Sequence, residues 1–296
     1  MGIIRPIIDL KVVHMLSYRH GFHAGNHADV MKHWVCVLTA SYMVKKDKPF
    51  YYIDTHSGTG LYSLYDSIAK KTNESQGGIQ TLWDEKIPAV FKEYMAIINQ
   101  LNPGERLKNY PGSPWFVRHF LRPSDRAKLF ELHPQDFQVL RKNFANDKIV
   151  SMEKVDGFVG LKALLPPPPK RAMVVIDPPY EQAKEYQMVV AAVEQALKRF
   201  PTGVYLVWYP LINRNDKQKM SETMARKLKN LKPKSFLDVR FWVSGDNEEQ
   251  GMYGSGLAIM NPPWDLEQKL NEGLPYLVDK MGVSEHAGFS IEYVEN

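Results

Sequence analysis

The 296-residue sequence predicts an α/β fold: a seven-stranded, mostly parallel sheet with helices on both faces and a small inserted helical subdomain. Three observations carry that expectation. Short apolar runs alternate with longer amphipathic ones, acids stand at the carboxyl ends of several apolar runs, and one interval is far too long for a strand–helix–strand unit. Alternating strands and helices produce parallel crossovers, and such a sheet binds ligands outside the carboxyl ends of its strands.

The elements follow in order. Ala28–Lys46 has helical spacing, and Phe50–Asp54 is a short apolar run ending on an acid. Further strands are expected at Lys128–Glu131, Ile149–Glu153, Ala172–Asp177, Val204–Trp208, Leu237–Trp242 and Gly256–Asn261. Further helices are expected at Gln135–Phe144, Ala183–Arg199, Asp216–Leu231 and Leu266–Met281. From Asp54 to Glu131 is 77 residues, whereas a βαβ unit needs only about 30. Within that excess Val90, Phe91, Tyr94, Met95, Ile98 and Leu101 share one helical face, so a helical insert is expected over about 61–108. It either elaborates the scaffold or adds surface for a substrate. Residues 15–296 then form one domain. Residues 1–14 lack a signal-peptide core and cleavage site, Met15 offers an alternative start, and the extension is expected to be dispensable.

Composition narrows the class. Hydrophobic residues make up 44% and charged residues 24%, the balance of an ordinary soluble domain. An excess of Lys and Arg, 38 against 33 Asp and Glu, favours a polyanionic partner without requiring one. Cys36 is the only cysteine, which excludes an internal disulfide and fits a reducing cytoplasm. No run approaches the roughly 20 apolar residues that span a membrane, so no membrane partner is expected. A monomer with no obligate protein partner is the simplest expectation.

The most informative stretch is Asp177-Pro178-Pro179-Tyr180, which ends the buried-strand pattern Ala172–Ile176. A carboxylate and the Pro178 carbonyl beside it can both accept hydrogen bonds from an exocyclic amine. The prolines stiffen the turn, and Tyr180 offers a face on which a flipped base can stack. A cofactor site is expected opposite. Asp54-Thr55-His56-Ser57-Gly58-Thr59-Gly60 is a strand entering a glycine turn, but it lacks both the dinucleotide fingerprint and the P-loop pattern. Close backbone approach without a phosphate cradle suits S-adenosylmethionine (SAM). Glu131 ends the second strand, where it can accept both ribose hydroxyls. Asp156-Gly157 follows the third, where the acid can accept from the adenine amine. Singly, such acids are more often helix caps or solvated charges. In this order, on consecutive strands, they favour a SAM-dependent methyltransferase.

A second proline turn, Asn261-Pro262-Pro263-Trp264, suits the same chemistry but falls on the last strand, past the cofactor loops, and is read as ending an edge element. Near the start, His20, His23, Asn26, His27, Asp29, Lys32 and His33 form a polar cluster. His23 and His27 are spaced i, i+4, but glycines at 21 and 25 oppose a regular helix there, and no metal is expected. Tyr18, Arg19 and Lys32 are instead expected to meet phosphates and a stacked base, or else to form a hydrated N-terminal segment.

These stretches, with Pro111-Gly112-Ser113-Pro114, Glu131-Leu132-His133-Pro134 and Asp156-Gly157-Phe158, resemble the RlmJ-type family of bacterial 23S ribosomal RNA adenine-N6 methyltransferases from Met15 to near the C-terminus. The resemblance implies a Rossmann-like class I SAM-dependent methyltransferase fold and 23S ribosomal RNA as partner. It implies SAM contacts at His33, His56, Ser113, Glu131, Asp156, Gly157 and Asp177. It places Tyr18 at the substrate adenine and gives Asp177 the catalytic role. Three alternatives stay open: a DNA adenine-N6 methyltransferase, for which no sizeable recognition domain is visible; a protein glutamine methyltransferase, which the acid at 177 and the basic balance oppose; and a non-catalytic RNA-binding or ribosome-assembly factor on the same scaffold.

Overall fold

A computed structural model describes residues 19–296 except 68, 214 and 247–250. Tyr18 and the 1–14 extension lie outside the described residues. The chain runs α1 (His27–Val44), β1 (Tyr51–Asp54), β2 (Leu61–Ser63), α2 (Ala69–Thr72), α3 (Lys92–Leu101), β3 (Asn109–Pro111), α4 (Ser113–Arg118), β4 (Arg126–Phe130), α5 (Pro134–Asn143) and β5 (Val150–Glu153). It continues α6 (Gly157–Leu164), β6 (Ala172–Ile176), α7 (Ala183–Arg199), β7 (Val204–Ile212), α8 (Asn215–Lys229), β8 (Ser235–Trp242), β9 (Met252–Met260), α9 (Leu266–Met281) and β10 (Gly288–Glu295).

Eight strands form one sheet in the order β10-β8-β9-β7-β6-β1-β4-β5. The five strands from β7 to β5 are parallel, while β9 is antiparallel to β7 and β8, and β10 to β8. The sequence predicts seven strands. The eighth, β10, is an edge strand whose residues are all half-buried or exposed, so its hydrophobic alternation is weak. Alternation along the central strands divides the core. Tyr52, Met173 and Val175 face the layer of α1, α4, α9 and the insert, whereas Ile53, Val174 and Ile176 face α6, α7 and α8.

Between β1 and α4, β2 and β3 pair antiparallel, and the Gly112 N–H donates to Gly60 O at 2.9 Å, closing the neck of the inserted stretch. Inside it lie α2, three short 3-10 turns and α3, and α3 packs on α1 through Tyr94, Ile97 and Ile98. Asn26 caps α1 by accepting from the Asp29 N–H and also donates to Glu74 of the insert, so the helix start and the insert are fixed together.

The Asn261 turn needs one correction. β9 is not an edge strand; it lies between β7 and β8. Because it runs antiparallel to β7, Met260 pairs with Tyr205 near the start of β7, at the opposite end of the sheet from Asp177. Asn261 Nδ2 there donates to Pro201 O and Gly203 O, a structural tie. Strand direction alone removes this turn from the site.

Candidate active site

At the carboxyl ends of β1, β4, β5 and β6 lies a cleft enclosing about 1030 Å³ of space, its open mouth included. His33, His56, Ser113, Glu131, Asp156, Gly157, Asp177 and Pro178 all line it, together with His20, Lys32, Thr55, Tyr62 and Met188. The β1 turn is stitched to both neighbouring strands: Thr55 N–H donates to Val175 O and Ser57 N–H to Phe130 O. Gly58 has φ +56°, and a Cβ there would lie 2.1 Å from Tyr62 Oη. At Gly157 a Cβ would fall 1.9 Å from Thr55 O, so α6 could not start against the turn. Gly157→Ala is expected to destabilise the fold by about 1–3 kcal/mol, as overpacking against immobile backbone does; urea denaturation with an unchanged midpoint would contradict this.

The strand-end acids divide their roles. Asp54 is fully buried and accepts from Tyr52 Oη, Ser113 Oγ and the His56 N–H, so it braces the turn and does not line the cleft. Glu131 accepts from the Gly58 N–H (2.8 Å) through Oε2 and from the His133 N–H (2.7 Å) through Oε1. Burial pushes its pKa up to about 7, against the pull of those two donors. Asp156 caps α6, its Oδ1 accepting from the Phe158 and Val159 N–H groups, which leaves Oδ2 for a ligand. The helix-cap reading of that residue is therefore realised, and its second oxygen faces no protein donor within the cap.

Sequence reasoning gave the group beside Asp177 a different partner. Lys32 is buried in α1, with Nζ 2.7 Å from Asp177 Oδ2 and 2.8 Å from Asp29 Oδ1. Burial lowers the Lys32 pKa, but Asp177 and Asp29 more than offset it and hold the ammonium well above the usual lysine range. Burial likewise raises Asp29, yet His20, Lys32 and His33 bring it well below the carboxylate range; its Oδ2 accepts from Gly25 N–H and meets His20 Nε2 at 2.9 Å. Lys32 therefore does not meet phosphates: its side chain is 4% exposed and committed to two carboxylates. The available signal was a lone lysine inside the apolar run Val30–Leu38.

Tyr180 also departs from expectation. At φ +52° and 2% exposed, it packs its ring against Tyr186, 4.6 Å between centroids, and its hydroxyl donates to Trp208 O at 2.6 Å. It is absent from the cleft lining and offers no face to a base in this conformation, because the turn after the two prolines carries the ring into the core. The histidine cluster is spread over separate partners. His23 Nδ1 meets Glu74, whereas His27 lies against Phe241 and burial pushes its pKa to about 4. Arg19 pairs with Asp136 at 3.3 Å.

Residues 47–294 match the family model described as ribosomal RNA large subunit methyltransferase D, RlmJ. The chain belongs to the RlmJ family. It is 43% identical to the ribosomal RNA large subunit methyltransferase J of Escherichia coli K12, over 90% of this chain and 94% of that protein. The namesake protein of Haemophilus influenzae is 42% identical, over 95% and 99%. A Legionella pneumophila protein of solved structure superposes with a TM-score of 0.83 at 36% identity, covering 92% of this chain and 98% of its own. Membership in this family assigns the α/β architecture to the Rossmann-like methyltransferase class. No helix among the described residues is long and apolar enough to cross a membrane.

Proposed function

We propose that the protein is a cytoplasmic SAM-dependent methyltransferase acting on the exocyclic N6 amine of one adenine in 23S ribosomal RNA. The observation that carries this reading is the convergence of Asp177 and Pro178 with Glu131, Asp156 and His33 on one cleft, in a chain of the RlmJ family. The cleft fits the cofactor by its hydrogen-bond acceptors. Glu131 offers oxygen lone pairs for a ribose, Asp156 Oδ2 an acceptor for an adenine amine, and the close Gly157–Thr55 contact leaves backbone where a phosphate cradle would otherwise stand. His33, His56, Ser113, Glu131, Asp156, Gly157 and Asp177 would hold it.

Bound SAM supplies a methyl group already activated on a sulfonium. The chain's task is to present the amine, whose lone pair is delocalised into the ring. With Asp177 Oδ2 held by Lys32, Oδ1 is the atom left to accept from the amine, and the Pro178 carbonyl accepts the second hydrogen. The two acceptors favour a pyramidal nitrogen aimed at the donor, and that positioning contributes most of the rate. The adenine must be unpaired or extruded to enter the cleft. The resemblance places Tyr18 at the substrate adenine, while Tyr180 steadies the turn from beneath.

Labelled methyl transfer to 23S RNA from a strain lacking the gene, followed by nucleoside analysis, tests the proposal. N6-methyladenosine at a single position supports it; label on another base or none on free or particle-bound RNA refutes it. Glu131 adds a pH signature. Since its pKa is raised to about 7, the carboxylate that receives ribose hydroxyls is lost as pH falls through neutrality. Affinity for S-adenosylhomocysteine is expected to weaken severalfold between pH 8 and 6, with Glu131→Gln weaker throughout and flat across that range. Calorimetry at several pH values checks this.

A further inference from the structure

We propose that the fold locks His33 and His56 in opposite neutral tautomers, so that the cleft presents one imidazole N–H donor and one imidazole acceptor to the zwitterionic amino-acid end of the cofactor. The inference rests on the SAM reading of the cleft and adds how that end is recognised. Both rings line the cleft, and burial keeps both neutral.

The tautomers follow from the partners of the two Nδ1 atoms. His33 Nδ1 lies 2.9 Å from Tyr110 Oη on β3, and Tyr110 Oη lies 3.0 Å from Tyr94 Oη on α3; both tyrosines are fully buried. Tyr110 is the only hydrogen-bond partner of the Tyr94 hydroxyl among the described residues. The Tyr94 O–H therefore donates to Tyr110, since otherwise a buried donor would stand unpaired. That commits the Tyr110 O–H to His33 Nδ1, which must carry the lone pair. The His33 proton is then on Nε2, whose nearest carboxylate oxygen, Asp29 Oδ1, is 3.9 Å away and beyond hydrogen-bond reach.

At His56 the logic inverts. Thr55 Oγ1 lies 3.1 Å from Val175 O and 2.8 Å from His56 Nδ1, and both contacts are hydrogen bonds only if the hydroxyl gives its one proton to the carbonyl, which can only accept. With its hydrogen used, the hydroxyl can only accept, so His56 carries its proton on Nδ1 and leaves Nε2 as an acceptor. A carboxylate requires a donor and an ammonium requires an acceptor; the pair provides both without placing a further charge beside Lys32. Tyr110 and Thr55 are thus positioning residues that act through the histidines.

Imidazole two-bond nitrogen spectra of the full-length protein labelled with 15N-histidine read both tautomers before any ligand is added. The Nε2–H form at His33 and the Nδ1–H form at His56 are expected; the same form at both overturns the proposal, whatever the variants do. Binding then uses two probes, S-adenosylhomocysteine and 5′-methylthioadenosine, which lacks the amino-acid end. Tyr110→Phe is expected to weaken the first about 10-fold, the effect of one displaced hydrogen bond, and to leave the second unchanged. Tyr94→Phe keeps the Tyr110 donor and should bind both as wild type does, whereas a mere packing role predicts similar losses in the two variants. Equal affinity of Tyr110→Phe and wild type for S-adenosylhomocysteine refutes the inference. Failure of the wild type to bind either probe refutes the SAM reading instead.

Discussion

Replacing Asp177 by alanine is expected to slow methyl transfer by about 10²–10³-fold, the scale seen when one well-placed electrostatic contact is removed from a reacting centre. The fold should survive almost unchanged. Asp177 Oδ2 is one of two carboxylate contacts on Lys32, and the other, Asp29 at 2.8 Å, remains in the variant. No buried cation is stranded, and Asp177 itself is the most exposed member of the trio at 15%. S-adenosylhomocysteine affinity should fall only modestly, because Glu131 follows β4 and Asp156 caps α6, away from the β6 turn. Asp177→Asn sharpens the test. Asparagine keeps a carbonyl acceptor for the amine but turns an N–H₂ group toward Lys32 or the substrate. If Asp177 acts mainly by accepting a hydrogen bond, the asparagine variant should be clearly faster than the alanine variant in single-turnover assays. Alanine-variant rates within tenfold of wild type would remove Asp177 from the mechanism.

Why Asp177 was legible in the sequence and its partner was not follows from distance along the chain. The acid stands at the end of β6, five buried residues that read unambiguously as a central strand, and a strand end in a parallel sheet is where ligands bind. Glu131 and Asp156 were found the same way. Lys32 lies 145 residues from Asp177, and only the packing of α1 over β6 and β7 brings them together. Local pattern likewise could not separate a base-stacking Tyr180 from a buried one, because the difference is the positive φ that follows two prolines. The short helices α4 and α6, of six and eight residues, offer too few turns for a periodic signal, and both begin at residues already singled out for their chemistry. For the edge strand β10 the missing signal was burial itself.

Lys32→Met should differ from Asp177→Ala in showing a large loss of stability as well as of activity. Methionine fills a similar volume, so packing is largely conserved. What disappears is the only lysine or arginine contact of Asp29 among the described residues, and one side of Asp177. Removing one partner of a buried ion pair costs about 3–5 kcal/mol, because the stranded charge keeps its desolvation penalty. Two features moderate the cost here: Asp29 retains the Gly25 N–H and His20 as partners, and Asp177 borders the open cleft. The pH dependence identifies the cause. In the wild type Asp29 is held well below the ordinary carboxylate range, so its contribution to stability is present above about pH 4 and is lost as pH falls through its folded pKa. Without the ammonium, burial dominates and raises the Asp29 pKa, so the folded variant binds the proton more tightly than the unfolded chain does. Its deficit relative to wild type should therefore shrink as pH is lowered from 8 toward 5. The double variant Asp29→Asn/Lys32→Met, which removes the stranded charge, should recover most of the stability at pH 8 but little of the turnover, because Asp177 is still unsupported. Urea denaturation of the three proteins across that range decides the matter. A pH-independent loss in Lys32→Met, or no recovery in the double variant, would show that Lys32 stabilises the fold by packing and not by its charge.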